Sequence, residues 1–198
     1  FGTFTDRFEK LEEALQIIIP MLRGDKATLA GKHYSVVDAF NSPAPVRRIP
    51  VMIGGGGERK TLRMVAQYAD ESNIIGEARD MPRKLDALAE HCAALGRDRS
   101  ELTVSWQRST CVAPTMEAAQ ADLAAYFARR GIDLAKLPEE QQASISGRFV
   151  VGDPDTVGER LTADLAIGFD GFTLNAPANG HIPGRVRLLG ETAAKVVG

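Results

Sequence analysis

The sequence predicts an α/β fold in which parallel strands alternate with helices. Short apolar runs of strand length are separated by longer stretches with helical periodicity. A run of four glycines, Gly54–Gly57, joins one such strand to the helix that follows it. Alternation of this kind indicates parallel strands joined by right-handed crossovers. Two architectures fit this pattern, an open parallel sheet and half of an eight-fold (β/α) barrel.

The chain opens with a predicted amphipathic helix and a connection. Asp6–Arg23 carries one apolar stripe, and Gly24 follows it as a stop signal. Thr5 is the predicted N-cap. The segment Lys26–Pro50 contains several prolines, which disfavour helix, and Ala30–Tyr34 within it predicts a small turn or hairpin.

The next element carries the clearest functional signal. Val51–Ile53 predicts a strand, Gly54–Gly57 a tight turn, and the residues after it a helix to about Asp70. Glycines let a ligand approach the backbone, and amides at a helix N-terminus bind anions. We therefore expect a phosphate site, with the alternative that the glycines only shape a turn. Its candidate residues are Gly54, Gly55, Gly56, Gly57, Glu58, Arg59, Lys60 and Thr61.

This glycine run matches neither of two common phosphate loops. A Walker A loop would have a glycine directly before Lys60-Thr61, where this chain has Arg59. Counted from Gly54, Arg59 also stands where the Rossmann fingerprint requires its third glycine. The loop is therefore of another kind.

The remaining elements complete four βα units after the first helix. Strands are predicted at Ser72–Ile75, Leu102–Val112 and Phe169–Leu174, and helices at Met81–Leu95, Met116–Arg130, from Asp153 to Gly168, and at Arg185–Val197. Thr115 and Asp153 are the predicted N-caps of two of these helices, and 132–150 is a predicted insertion. Ligands bind at the C-terminal ends of parallel strands, which places the glycines, Asn73, Arg108 and Asn175 near one rim.

Composition narrows the class of protein. The 198 residues fit one domain, and the content of 44% hydrophobic and 25% charged residues is typical of globular proteins. A net charge of −2 gives no indication of nucleic acid or an anionic membrane as partner. Cys92 and Cys111 predict buried free thiols and a cytoplasmic protein. The chain opens without a signal-peptide pattern, and its lack of an initiator methionine suggests a fragment or a processed chain.

Several segments in the same order resemble the luciferase-like monooxygenase superfamily, and most closely its branch that uses the deazaflavin coenzyme F420. The segments are Ile49–Asp70 followed by Ser72-Asn73, the helix Phe8–Leu22 with its RFxxLEExLxII pattern, the turn Leu29–Tyr34, the CxxxGRD stretch Cys92–Asp98, and the helix start Val151–Val157. Together they cover most of the chain.

The resemblance implies a TIM barrel that commonly forms dimers. By this resemblance residues 1–198 are one partial barrel domain, about strands five to eight, and the first four strands are absent. Gly54–Gly57 and the helix start Glu58–Thr61 would then hold the phosphate of F420. FMN is the alternative cofactor, since a phosphate loop does not tell the two apart. The implied activity is hydride transfer to or from F420 on a small organic substrate, or an FMN-dependent monooxygenation.

Few side chains are candidates for catalysis. His181 follows the last strand on the rim side and is the one weak catalytic candidate, while Asn73 is a candidate cofactor contact. The spacing of His and Cys residues predicts no metal site. An aldolase or isomerase barrel and a non-catalytic half-barrel also fit the pattern of elements. Because half a barrel leaves exposed strand edges, we expect a homodimer or association with the missing half.

Overall fold

The computed structural model describes residues 2–198, which divide into two compact units. One extends to Ser72 and includes Ala87–Thr103, and the other comprises Asn73–Asp86 and Val104–Gly198. Helices span Phe4–Leu22 (α1), Thr61–Tyr68 (α2), Met81–Ala94 (α3), Met116–Ala128 (α4), Glu139–Arg148 (α5), Pro154–Leu165 (α6) and Arg185–Val197 (α7). Strands span Ala27–Ala30 (β1), Ser35–Ala39 (β2), Met52–Gly54 (β3), Glu71–Ile74 (β4), Thr103–Val112 (β5), Phe149–Gly152 (β6) and Gly171–Asn175 (β7). That residues 1–198 form one domain stays a prediction.

The first helix begins two residues earlier than the sequence predicts. Thr3, not Thr5, is its N-cap, and Asp6 completes a capping box. The Thr3 hydroxyl accepts from the Asp6 amide at 3.2 Å, and the Asp6 carboxylate accepts from the Thr3 amide at 2.9 Å. Thr3 is the better cap because an acidic residue stands three positions after it. Leu15 and Ile19 are the buried residues of the helix.

The predicted turn at Ala30–Tyr34 is confirmed as the turn of a hairpin. Strands β1 and β2 pair antiparallel, with Ala30 opposite Ser35. The carboxylate of Glu13 in α1 accepts the backbone amides of Lys32, His33 and Tyr34 at 2.9, 2.9 and 2.8 Å. Burial opposes ionisation of Glu13, but these amides outweigh it and leave its pKa below the ordinary value. The Glu13 side chain therefore ties the turn of the hairpin to helix α1.

Strand β3 and helix α2 follow the sequence pattern closely. The helical positions Leu62, Val65, Ala66 and Ala69 are all buried, as their spacing predicts. The backbone amides of Asp70 and Glu71 donate to the carbonyl of Val51 at 2.9 and 3.1 Å. The helix itself begins at Thr61, three residues later than Glu58, because a turn separates it from the glycines.

In the second unit, β5 is the longest strand, and it pairs in parallel with β6 and β7. Ser105–Ser109 lies opposite β7, and Ser109–Val112 lies opposite β6. Val104, Trp106 and Arg108 are buried on one face, as the alternating pattern predicts. The other face carries Ser105, Gln107 and Ser109, which are half-buried.

Strand β6 is absent from the sequence-based prediction. The predicted insertion at 132–150 does contain a helix, α5, but Phe149 begins a strand that pairs with the second half of β5. Within residues 2–198 there are therefore five strand–helix pairs after the hairpin instead of four. The apolar run Phe149–Val151 is short and runs directly into the Asp153 cap, so the sequence gives little sign of a strand.

The predicted helix caps in this unit are confirmed. Thr115 accepts from the amide of Ala118 at 3.2 Å, and Asp153 accepts from the amide of Thr156 at 2.9 Å. A core cluster joins β5, β6, α6 and α7. Its buried members are Val112, Val150, Val157, Leu161 and Leu189. Over residues 2–198 we find no helix with both the length and the apolar character needed to cross a membrane.

Arg108 lies in the interior and not at a ligand-binding rim, contrary to the sequence prediction. Its Nε atom is 2.9 Å from Oδ2 of Asp164 in α6, and the two side chains are 1% and 3% exposed. The guanidinium carbon also lies 4.2 Å from the centre of the Trp106 ring. Burial lowers the pKa of Arg108, and Asp164 opposes that effect. The pair is therefore structural.

Both thiols are buried and free, as predicted. The Cys111 thiol donates to the Ala119 carbonyl at 3.3 Å, and burial raises its pKa to about 11. Because the thiolate is the nucleophile, we expect a thiol reagent at pH 8 to react very slowly with the folded chain. Both thiols should react within minutes in guanidinium. Rapid release of one equivalent from the native chain, measured with a chromogenic disulfide, would contradict this prediction.

Candidate functional site

The glycine run forms a loop that folds tightly over one side chain. Strand β3 ends at Gly54 and α2 begins at Thr61, whose side chain is buried. Gly55 has φ +135°, and a Cβ placed there would lie 3.0 Å from Cγ2 of Thr61. A Cβ at Gly57 would lie 3.0 Å from Oγ1 of Thr61. The loop therefore requires glycine for backbone conformation at one position and for close packing at both.

Hydrogen bonds fix the carbonyl groups of the residues after the glycines. Leu62 N donates to Gly57 O at 3.0 Å, Met64 N donates to Lys60 O at 3.1 Å, and His91 Nε2 lies 2.8 Å from Glu58 O. A carbonyl oxygen only accepts, so the His91 ring nitrogen is the donor. Two of these bonds belong to the start of α2, and the third comes from a side chain of α3.

The direction of these carbonyls sets the direction of the neighbouring amides. In a trans peptide the C=O and N–H bonds point in opposite directions. The amides of Glu58, Arg59 and Thr61 therefore point away from the groups that bind the carbonyls before them. Successive amides at a helix start, with the positive end of the helix dipole, form an anion-binding concavity. This geometry is able to hold a phosphate group.

The charged side chains at this loop point in different directions. Arg59 is exposed, whereas the Lys60 ammonium lies 5.6 Å from the Phe4 ring centre and 5.3 Å from that of Phe8. Lys60 is thus directed toward α1. Beside the loop lies a cleft of about 190 Å³, which is lined by Thr5, Phe8, Glu9, Glu12, Arg59, Lys60, Arg63 and Met64. Roles in cofactor binding for Arg59 and Lys60 stay predictions.

Asn73 belongs to the second compact unit and connects three strands. Its Nδ2 atom donates to Oγ of Ser105 and to Oγ1 of Thr173, both at 2.8 Å. The Asn73 side chain is 8% exposed. Asn73 therefore stabilises the polar face of the sheet, and its predicted contact with a cofactor is untested.

The same unit holds a buried polar atom without a hydrogen bond. Oδ1 of Asn175, the last residue of β7, has no partner in the part of the chain that the structure describes. Buried acceptors are normally satisfied, and leaving one unpaired costs about 1–3 kcal/mol. By register Asn175 lies opposite Ser109. This strand end is a candidate contact for a polar ligand.

A polar pocket of about 410 Å³ lies just beyond the end of β4 and beside the middle of β5. It is lined by Ile75, Gly76, Glu77, Asp80, Lys84, Gln107, Ser109 and Arg148. The Glu77 carboxylate lies 3.0 Å from an Arg79 nitrogen and 3.7 Å from one of Arg148. Acidic and basic groups therefore balance here, and the pocket fits a small polar organic molecule.

His181 lies in the turn between β7 and α7, and its side chain is exposed. The turn is anchored by Asn179, whose Nδ2 donates to Val112 O at 2.8 Å and to Asp122 at 3.1 Å. Asp122 also accepts from Arg185 at 3.0 Å. These hydrogen bonds therefore anchor the turn to β5 and α4. A catalytic role for His181 stays a prediction.

Three potential metal ligands in the first unit are already engaged. Ligand atoms of Asp6, Glu9 and His33 lie within 4.8 Å of one another. Glu9 binds the Lys32 ammonium at 2.8 Å and the His33 ring at 2.9 Å, and Asp6 completes the Thr3 capping box. We assign no metal to this cluster.

His91 is the functional candidate that sequence reasoning missed. From the sequence it is a structural histidine beside Cys92 on a helix. Its contact with Glu58 joins residues 33 positions apart, and no local pattern signals such a pairing.

The sequence matches the luciferase-like monooxygenase family over residues 1–171. The F420-dependent glucose-6-phosphate dehydrogenase of Microbacterium testaceum is 30% identical over 207 aligned positions, which cover 94% of this chain and 60% of that protein. The chain thus spans about 60% of the length of that relative.

Solved structures show the same fold. An F420-dependent secondary alcohol dehydrogenase in complex with an F420–acetone adduct superposes with a TM-score of 0.78 at 17% identity, covering 99% of this chain and 64% of that one. The EDTA monooxygenase of Chelativorans sp. BNC1 gives 0.76 at 18% identity, covering 100% and 60%. These neighbours are TIM-barrel enzymes, so the predicted fold class, an α/β chain equivalent to about half of a (β/α)8 barrel, is confirmed. With a match that extends over most of its residues, the chain belongs to the luciferase-like monooxygenase family.

Proposed function

We propose that this chain is the cofactor-binding portion of an oxidoreductase that transfers hydride between coenzyme F420 and a small organic substrate. The observation that carries the proposal is the loop from Gly54 to Thr61, where each amide of Glu58, Arg59 and Thr61 points away from the group that binds the carbonyl before it. Relatives named as F420-dependent dehydrogenases support the choice of cofactor.

The residues of the loop fit a phosphate-bearing cofactor. Gly55 and Gly57 let the backbone fold tightly over Thr61, while Glu58, Arg59 and Thr61 supply donors to phosphate oxygens. Exposed Arg59 adds a positive charge. When bound, F420 supplies the site that gives or accepts the hydride. The protein supplies position and electrostatics around it.

The second unit, taken by itself, supplies a candidate pocket for a polar organic substrate. Gln107, Ser109 and Arg148 are among the residues that line the polar pocket beside the middle of β5. Amide and hydroxyl groups of this kind orient a substrate alcohol or carbonyl through hydrogen bonds. Asn175 has a buried oxygen that needs a donor, which a substrate hydroxyl would supply.

FMN is the alternative cofactor, with monooxygenation as the reaction. The loop recognises a phosphate group, which both cofactors carry, and a structural neighbour is named as a monooxygenase. The proposed loop contacts are identical in the two cases.

We further propose that the chain works as a homodimer or together with a complementary half-barrel. Both faces of a parallel sheet are normally covered. On β5 and β7, however, Ser105, Gln107 and Ser109 are only half-buried, and Thr173 is exposed. A second copy or the missing strands would cover this polar face.

Calorimetric titration of the purified chain with F420 and with FMN tests the proposal, after light scattering has fixed its oligomeric mass. We expect saturable binding of one cofactor, and its identity decides between the two reactions. Absence of binding to both would contradict the proposal and favour a non-catalytic half-barrel. A stable monomer at micromolar concentration would contradict the proposed association.

A further inference from the structure

The hydrogen bond from His91 to the glycine loop differs from the other bonds that fix this loop. Leu62 and Met64 donate from the backbone of α2, so any helix start of this shape would contain those bonds. The bond to Glu58 O instead comes from the ring of a residue in α3, at 2.8 Å. A side chain from another helix therefore helps to fix the orientation of this peptide unit.

We propose that His91 is a positioning residue for the phosphate site, an inference that rests on the proposed function. By holding the Glu58 carbonyl toward α3, the ring keeps the amide of Arg59 pointing in the opposite direction. It also polarises that peptide unit, because a carbonyl that accepts a hydrogen bond makes its own N–H a stronger donor. His91 thus acts on the ligand through Arg59 and does not touch it.

Loss of the hydrogen bond from His91 should weaken the binding of a phosphate group at this loop. The Glu58–Arg59 peptide lies in the turn between Gly57 and the helix start at Thr61. Removal of His91 removes one constraint on this peptide, and any rotation would replace an N–H with a carbonyl oxygen on the ligand side. A carbonyl oxygen repels phosphate, so binding should weaken even where the fold is kept.

Two variants with amide side chains test whether the position of the donor at residue 91 matters. Nε2 of glutamine reaches about as far along the side chain as Nε2 of histidine, whereas Nδ2 of asparagine falls short by one methylene. We expect His91→Gln to bind F420 within about twofold of the unchanged chain. His91→Asn and His91→Leu should bind about tenfold more weakly, which corresponds to one net hydrogen bond.

Arg97 offers a matched control. Its Nη1 atom donates to the carbonyl of Ala66 at 2.9 Å, so it makes a similar side-chain contact with α2 outside the loop. Arg97→Leu should lower the midpoint of thermal unfolding but leave cofactor affinity unchanged. Affinity is measured by calorimetry and stability by thermal unfolding on the same samples.

The outcomes separate this inference from the proposed function. If the unchanged chain binds neither F420 nor FMN, the proposed function fails. If it binds, and His91→Gln and His91→Asn show equal affinities, the positioning role of His91 is overturned. Equal losses of affinity in His91→Leu and Arg97→Leu would also overturn it, since the effect would then follow stability.

Discussion

The Gly55→Val chain is expected to bind F420 at least about tenfold more weakly than the unchanged chain, since a shift of about 1.4 kcal/mol corresponds to a factor of ten. Gly55 has φ +135°, which L residues rarely adopt, and a side chain there would also approach Thr61 to 3.0 Å. Backbone strain of this kind costs about 1–3 kcal/mol. The loop should relieve the strain by moving, and the amides beyond it should change direction. Calorimetric titration gives the affinity.

Gly96→Val is the control, because it introduces backbone strain outside the glycine loop. Gly96 also has positive φ, +67°, but a Cβ there meets no atom within 4 Å. It lies just beyond α3, so its replacement should lower stability and leave affinity unchanged. If Gly55→Val binds F420 as tightly as Gly96→Val does, the glycine loop is not the phosphate site.

Asp164→Asn is expected to lower the free energy of unfolding by about 3–5 kcal/mol, because it leaves a buried positive charge without its partner. Arg108 and Asp164 are 1% and 3% exposed, so water cannot replace the lost interaction. The packing of Trp106 against the guanidinium and against Phe169 depends on the same arrangement. Equilibrium unfolding in urea measures the change.

Two further variants separate charge from packing. Arg108→Met should destabilise the chain less than Asp164→Asn, because Arg160 lies 3.2 Å from Asp164 and continues to neutralise it. The double variant with Arg108→Met and Asp164→Leu should recover much of the loss, since apolar residues replace buried pairs well. If Asp164→Asn changes stability by less than about 1 kcal/mol, the pair is not the buried ion pair described above.

Local patterns account for most of the correct predictions about the fold. The alternation along β5 predicts the burial of Val104, Trp106 and Arg108, and the N-caps Thr115 and Asp153 are visible as single residues before apolar helices. These features are decided by neighbours in the sequence. The alternation does not reveal that Arg108 is neutralised by Asp164, because that partner lies far along the chain, in α6.

The sequence-based predictions are wrong where a long-range contact or a competing N-cap determines the structure. Strand β6 exists because β5 extends past β7 and offers Ser109–Val112 for pairing. Thr3 replaces Thr5 as the cap because Asp6 is placed to complete a box. At the candidate site, the glycines and the helix start are visible in the sequence, but the bond from His91 to Glu58 is a product of folding.

In the proposed complex, the amides of Glu58, Arg59 and Thr61 bind the cofactor phosphate. The most direct test is amide NMR of the isotope-labelled 21.3 kDa chain during titration with F420 and, separately, with inorganic phosphate. We predict saturable shifts of these three amides with both ligands, and much larger affinity for F420. If these amides stay unchanged while others respond to F420, the cofactor binds elsewhere and the claim is wrong.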